Sequence, residues 1–222
     1  MSDADRRGGR HYHRGEVEFG RIVGFSDGIF GIAMTLLVAG IAVPEVAKQD
    51  LGRALADNAD DIYSFGLSFA VIGFLWLGHH GFFRLLTHMD DRLMRINLAY
   101  LGLIAFMPFP TALLGRYDGD VVAVALYAVV LAIASVTEAV MFRHARGIGA
   151  LTRPMPDDVY RHYMRTNLAA ALVFLVSITV ALVEPGISML MCIAIFPLEA
   201  WLDRLGGPDV ARWERQAVEA ED

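Results

Sequence analysis

Arg21-Ile-Val-Gly-Phe25-Ser26-Asp27-Gly28-Ile-Phe-Gly-Ile32-Ala-Met-Thr35-Leu36-Leu37-Val-Ala39-Gly40 is the stretch on which the reading of this chain turns. It is apolar except for a serine and an acid near its start. If Ser26-Asp27 capped a helix beginning at Gly28, the apolar run to Val43 would be about 24 Å long, short of the roughly 30 Å hydrocarbon core of a bilayer. A helix starting near Arg21 spans that core and carries Asp27 inside the protein at or below headgroup level. An intramembrane carboxylate costs several kcal/mol unless it is paired, and it usually belongs to a functional or structural network. Helix cap and buried network are therefore the two readings, and length favours the second.

Helical geometry adds direction. Side chains advance by about 100° per residue. With Ile32 at zero, Phe25, Gly28, Thr35, Leu36 and Ala39 all fall within about 60° of it, while Asp27 lies about 140° away. If the Ile32 face lined a pore, Asp27 would sit behind that face and anchor the helix to its neighbours. The alternative for the same face is ordinary lipid or helix packing.

Five further apolar stretches follow: about Ile62 to Leu77, with a possible extension to Phe83, Ile96 to Leu114, Val121 to Phe142, Thr166 to Val183, and Gly186 to Leu202. With the first, taken from Phe19 to Val43, they predict an all-α polytopic membrane protein of six spans. Turn residues fall between them at Pro44-Glu45, Asp118-Gly119-Asp120 and Glu184-Pro185-Gly186. The segment from Arg143 to Arg165 is the longest link, contains Pro154 and Pro156, and is expected to be irregular. Residues 1–18 and 206–222 are expected to be tails around a six-helix unit at 19–205.

Composition agrees. The 222 residues are 55% hydrophobic and 20% charged, with a mean hydropathy of +0.45. The clustering of the charges between apolar runs excludes a soluble enzyme, a disordered chain and a disulfide-stapled secreted domain. The single cysteine, Cys192, cannot form an intrachain disulfide. A net charge of −6 argues against a nucleic-acid partner, which needs clustered basic surface. The polar first 18 residues lack a signal-peptide core, so the first span is expected to be retained. Sixteen of the 19 basic residues fall in the two tails and the second-to-third and fourth-to-fifth links, and only Lys48, Arg53 and Arg116 lie on the other side. The positive-inside rule then puts both termini in the cytoplasm.

Other polar residues have expected roles. His79-His80 at the end of the second span are either partners for Asp27 or interfacial residues beside a belt tryptophan, Trp76. Asn97 and Asn167 are expected to bond between helices, Pro108 and Pro110 to kink the third span, and Glu138 and Glu199 to pair with Arg143 and Arg204. Met94-Arg95-x-Asn97-Leu98-Ala99 recurs as Met164-Arg165-x-Asn167-Leu168-Ala169; a duplication and the common demands of a cytoplasmic helix start both account for it. His11-x-His13 has at most the spacing of a weak metal site. No nucleophile–base set is present, so neither an enzyme nor a cofactor is expected.

Arg21-x-x-x-Phe25-Ser26-Asp27 followed by Ile32-Ala-x-Thr35-Leu36-Leu37 resembles the signature of the transmembrane protein 175 family of potassium channels. Trp76-x-x-His79-His80-x-x-Phe83 is similar to the end of that family's second helix. Asp91-x-Leu93-x-Arg95-x-Asn97-Leu98-x-Tyr100-Leu101 with Pro108-Phe109 is similar to its third. The resemblance implies a six-helix subunit whose first helix lines the pore, assembled as a homotetramer in bacterial members.

It implies a constriction at Ile32 with further layers at Leu36 and Ala39, and Thr35 as the polar layer bearing on selectivity. It also implies a support network of Arg21, Phe25, Ser26 and Asp27 with Trp76 and His79 or His80. The expected function is passive, modestly potassium-selective conduction across a bacterial plasma membrane, with potassium ions, lipid and other copies of the chain as partners. Ala39 is smaller than the residue expected in the outer layer, and no Thr-Val-Gly-Tyr-Gly filter is present. A proton-coupled transporter using Asp27 and His79 or His80, and a non-conducting scaffold, are the rival functions.

Overall fold

The computed structural model describes residues 11–117, 120–184, 187–188, 191, 210, 212–213 and 215–217. Five apolar helical segments are each long enough to cross a membrane, at Val17–Gly40, Ala59–Arg84, Asp91–Arg116, Val121–Gly147 and Asp157–Ala181. The expected sixth span, Gly186 to Leu202, lies almost entirely outside the described residues, as do Glu199 and Arg204.

Helix α1 (Val17–Leu36) runs unbroken through Ser26 and Asp27, so these residues do not cap it. The α-helix ends earlier than the apolar run. Leu37–Gly40 tighten into a 3-10 turn and Ile41 is extended. Glycine is a poor helix former, and Pro44 restricts the residue before it to extended backbone. The short helix α2 (Leu51–Asp57) buries none of its residues and leads into α3 (Ala59–Arg84).

The third span breaks at its prolines into α4 (Asp91–Phe106) and α5 (Pro108–Arg116). Pro108 has no N–H to donate, and the Met107 N–H reaches the Ile104 carbonyl instead, at 3.1 Å. Thr111 Oγ1 lies 2.9 Å from the Met107 carbonyl and 2.8 Å from Ser68 Oγ, and the Ser68 hydroxyl donates to Tyr127 at 3.1 Å. The kink is thus tied to its neighbours by buried hydroxyls. At the far end of α5, a Cβ on Gly115 would stand 3.0 Å from the Asp61 backbone, an approach only glycine permits.

Helices α6 (Val121–Gly147) and α7 (Asp157–Ala181) form the most extensive pair. Asp120 caps α6, its carboxylate accepting from the Val122 and Ala123 N–H groups at 2.8 and 3.2 Å. Both helices run further into the Arg143–Arg165 link than expected, leaving only residues 148–156 irregular. Ionic and cation–π contacts hold those extra turns, since Arg146 pairs with Asp157 and lies over the Tyr160 ring.

The Arg-rich end of the bundle is closed by a feature outside the helices. Strand β1 (His11–His13) pairs antiparallel with β2 (His88–Asp90), with His11 opposite Asp90 and His13 opposite His88. Arg14 donates to the Arg84 carbonyl at 2.7 Å, and the segment 150–152 bonds the other edge of 85–87. Trp213, from the C-terminal tail, donates to the Pro154 carbonyl. The expected N-terminal tail is therefore folded structure from His11 onward.

Candidate functional site along the first helix

The two sides of α1 differ sharply. Ser26, Phe30, Ala33 and Leu37 are buried, Phe30 completely. Phe25, Ile32 and Leu36 are 55%, 57% and 50% exposed in the single subunit, and Gly28, Thr35 and Ala39 share their exposure. Ala39 sits in the 3-10 turn beyond the α-helix proper. The Thr35 hydroxyl donates to the Ile32 carbonyl at 2.8 Å, so its proton is engaged on the helix while the residue itself is exposed.

The buried side is keyed to α3 and α4 by side-chain hydrogen bonds. The Trp76 indole N–H donates to the Asp27 carboxylate at 2.8 Å. Ser26 donates to the Ile22 carbonyl at 2.9 Å and accepts from Asn97 Nδ2 at 3.1 Å. With its amide nitrogen so used, Asn97 presents Oδ1 to His79 Nε2 at 2.8 Å, so that ring nitrogen is the donor. His79 is buried among aromatic rings, 4.5 Å from Phe83, 5.3 Å from Phe30 and 5.4 Å from Tyr100 between centroids. This box fixes the imidazole plane and, through it, the asparagine.

Sequence-selected residues thus fall into separate groups. Asp27 takes its bond from Trp76, whereas His79 bonds Asn97. His80 lies against the Trp76 ring, with centroids 5.3 Å apart. Adjacent residues on a helix point about 100° apart, so only one of the two histidines can face into the bundle. Among the described residues Arg21 reaches only Glu18, at 3.5 Å, with both side chains well exposed.

Asn97 is the hub. The sequence marks it only as an interhelical bonding group, and nothing local shows that it bridges Ser26 and His79. Asn167 instead bonds the Tyr163 carbonyl of its own helix. Among the described residues no group of three or more His, Cys, Asp or Glu is arranged to hold a metal ion, although the rings of His11, His13 and His88 cluster with centroids 5.5–6.5 Å apart.

This is a multi-pass helical membrane protein in which one helix is keyed on its polar side and left open along an apolar stripe. The model of the endosomal/lysosomal potassium channel TMEM175 family matches residues 21–108, the part that holds the whole network. A potassium channel of Streptomyces collinus is 35% identical over 145 residues, covering 63% of this chain and 70% of that protein. A potassium channel of Chamaesiphon minutus is 42% identical over 105 residues, 46% of this chain and about half (52%) of that one.

The crystal structure of a lysosomal potassium-selective channel TMEM175 homolog from Chamaesiphon minutus superposes with a TM-score of 0.71 at 28% identity, over 86% of this chain and all of that one. The chain belongs to the TMEM175 family.

Proposed function

We propose that this chain is one subunit of a homotetrameric, potassium-permeable channel, with the open face of α1 lining the shared axis. The observation that carries the reading is the division of α1 into a hydrogen-bonded side and an unpartnered stripe through Ile32 and Leu36. Around an axis, four Ile32 side chains form a constriction too narrow and apolar to stay wet, so that conduction is controlled by dewetting. Leu36 and Ala39 continue that wall. Four Thr35 oxygens, their protons already engaged on the helix, offer lone pairs that replace part of a potassium ion's hydration shell. Selectivity over sodium is modest, because no ring of backbone carbonyls is involved.

Ser26, Asp27, Trp76, His79 and Asn97 are the support that sets the rotation of α1, with Phe25 and His80 packed around it and Arg21 turned outward. Six spans, the first beginning at Val17 behind an N-terminal segment folded from His11, end in a tail at 206–222, with both termini on the cytoplasmic side of the plasma membrane, as the distribution of basic residues favours. A proton relay through Asp27 and His79 is disfavoured, because each is bonded to a different partner.

The test is recording from purified protein in planar bilayers under separate potassium, sodium and proton gradients. Potassium current is expected. Replacing Ile32 with Ala should raise it by about tenfold, which needs the barrier to fall by only about 1.4 kcal/mol. Absence of potassium current under every gradient, or proton-driven solute accumulation in its place, overturns the reading.

A further inference from the structure

A cavity of about 400 Å³ opens between α3, α6 and α7 at the Arg-rich end of the bundle. It lies on the side of α3 away from the α1 network. Phe74, Leu77 and Phe142 are among its apolar walls, and Glu138, Ser135 and Thr166 supply polar groups. Glu138 is only 8% exposed. No hydrogen bond or ion pair holds its carboxyl among the described residues. Thr166 Oγ1 is buried without a partner as well.

The expected pairing of Glu138 with Arg143 does not form. Five residues along a helix is a turn of about 140°, and Arg143 is exposed. Gly78 makes room for the acid instead, since a Cβ there would stand 3.1 Å from Glu138 Oε1.

An unpaired acid, an unpaired hydroxyl and aromatic walls in one membrane-embedded cavity define a ligand. We propose that this cavity binds a primary ammonium group carried on an apolar chain, either the headgroup of an aminophospholipid or a long-chain amine. The ammonium's three N–H donors match the Glu138 carboxylate and the Thr166 hydroxyl, and the apolar walls take the chain. A buried carboxylate in a bilayer is costly without such a partner. Arg84 also lines the cavity, and its guanidinium suits the phosphate that accompanies an aminophospholipid's ammonium. A bare metal ion fits poorly, because a hard cation needs six or more oxygen ligands and one carboxylate dominates here. The inference does not depend on ion conduction.

The experiment reads binding, not current. Purified protein in detergent is titrated with dodecylamine and with dodecanol, following the melting transition. Dodecylamine should bind about tenfold more tightly than the alcohol. Glu138→Gln, which keeps the shape, should bring the two affinities to within about twofold. Gly81→Leu should weaken both, because a side chain there meets nothing within 4 Å and occupies the cavity instead.

Equal binding of amine and alcohol to the unaltered protein, or an amine preference that survives Glu138→Gln, overturns the proposal. In nanodiscs, displacement of the amine by phosphatidylethanolamine but not by phosphatidylcholine assigns the site to the lipid headgroup. Displacement by neither assigns it to a free amine, and equal displacement by both removes the primary ammonium from recognition and also overturns the proposal.

Discussion

The two ends of α1 are held by different chemistry. At the Arg-rich end, Ser26 and Asp27 are tied by directional hydrogen bonds to Asn97 on α4 and Trp76 on α3, and the β1–β2 ribbon grips the chain just ahead of the helix. At the other end, Leu37 packs into the core, a Cβ placed on Gly40 would stand 3.5 Å from the Ala112 Cβ, and no side-chain hydrogen bond caps the start of the turn; Asn58 donates only to the Ala42 carbonyl beyond it, at 3.0 Å. Apolar packing fixes how close two helices lie but leaves rotation comparatively free. Hydrogen bonds fix rotation. Because one residue is worth about 100° of azimuth, the polar end determines which stripe of α1 faces outward along its whole length.

The contrast is broken most severely by removing the hub. Asn97→Leu keeps the branched shape but leaves His79 without its acceptor and Ser26 without its donor, both in buried surroundings. Unpaired buried groups cost about 1–3 kcal/mol each, so a loss of about 2–4 kcal/mol is expected, read as a lower melting temperature in detergent. A loss below about 0.5 kcal/mol would mean the rotation is set by packing alone.

Trp76→Phe comes next. It removes one N–H from a carboxylate and leaves the rest of the network in place, at an expected cost of about 1.5–3 kcal/mol. Combining it with Asp27→Ala, which removes the acceptor, in a double-mutant cycle isolates the pair, and the double variant should lose clearly less than the sum of the singles.

How much of this was legible in the sequence depends on the physics involved. The α1 stripe was, because helical angle is fixed by backbone geometry and needs no partner. The five spans were, because membrane thickness sets a length. The choice between His79 and His80 was not, since it depends on where α4 lies. The early end of α1 was hidden by apolar residues that continue to Val43. The ribbon left no trace because three residues are too few for a period and their partners lie more than 70 positions away. The longer α6 and α7 escaped a reading that followed only apolar residues, because the last turn of α6 and the first turns of α7 are rich in charged ones.

The ribbon offers a weaker, pH-dependent break. Burial, and then the neighbouring His11 and His13, push the His88 pKa below its ordinary 6.5, with Asp90 opposing. The folded ribbon therefore favours neutral His88. Above pH 6.5 the group is neutral whether folded or not, and as pH falls below 6.5 the unfolded segment takes up protons first, so the ribbon weakens. Asp90 behaves separately. Burial raises its pKa, but the Leu93 N–H and His144 outweigh this and hold it below 3.8. Its contribution is present above pH 3.8 and is lost as pH falls through its lower folded value. Amide exchange at His11–Arg14, corrected for intrinsic pH dependence, should accelerate in two steps. His88→Gln should remove the one that begins below pH 6.5 and leave the other.

The smallest effect is expected at Arg21, and it separates what lies within a subunit from what lies between subunits. Among the described residues Arg21 pairs only with Glu18, with 73% and 60% of the two side chains exposed, and exposed pairs of this kind contribute at most about 0.5 kcal/mol. Arg21→Gln should therefore leave the melting temperature of a dissociated subunit unchanged. The side chain borders a cavity of about 370 Å³ between α1 and α4, beside the exposed Phe25 and Leu98. If Arg21 belongs to the support of the pore helix, its partner stands across that groove on a neighbouring copy. The same substitution then weakens the oligomer in a dilution series read by native mass spectrometry while each subunit stays as stable as before. Equal behaviour in both measurements would confine the support of α1 to the bonds made by Ser26 and Asp27.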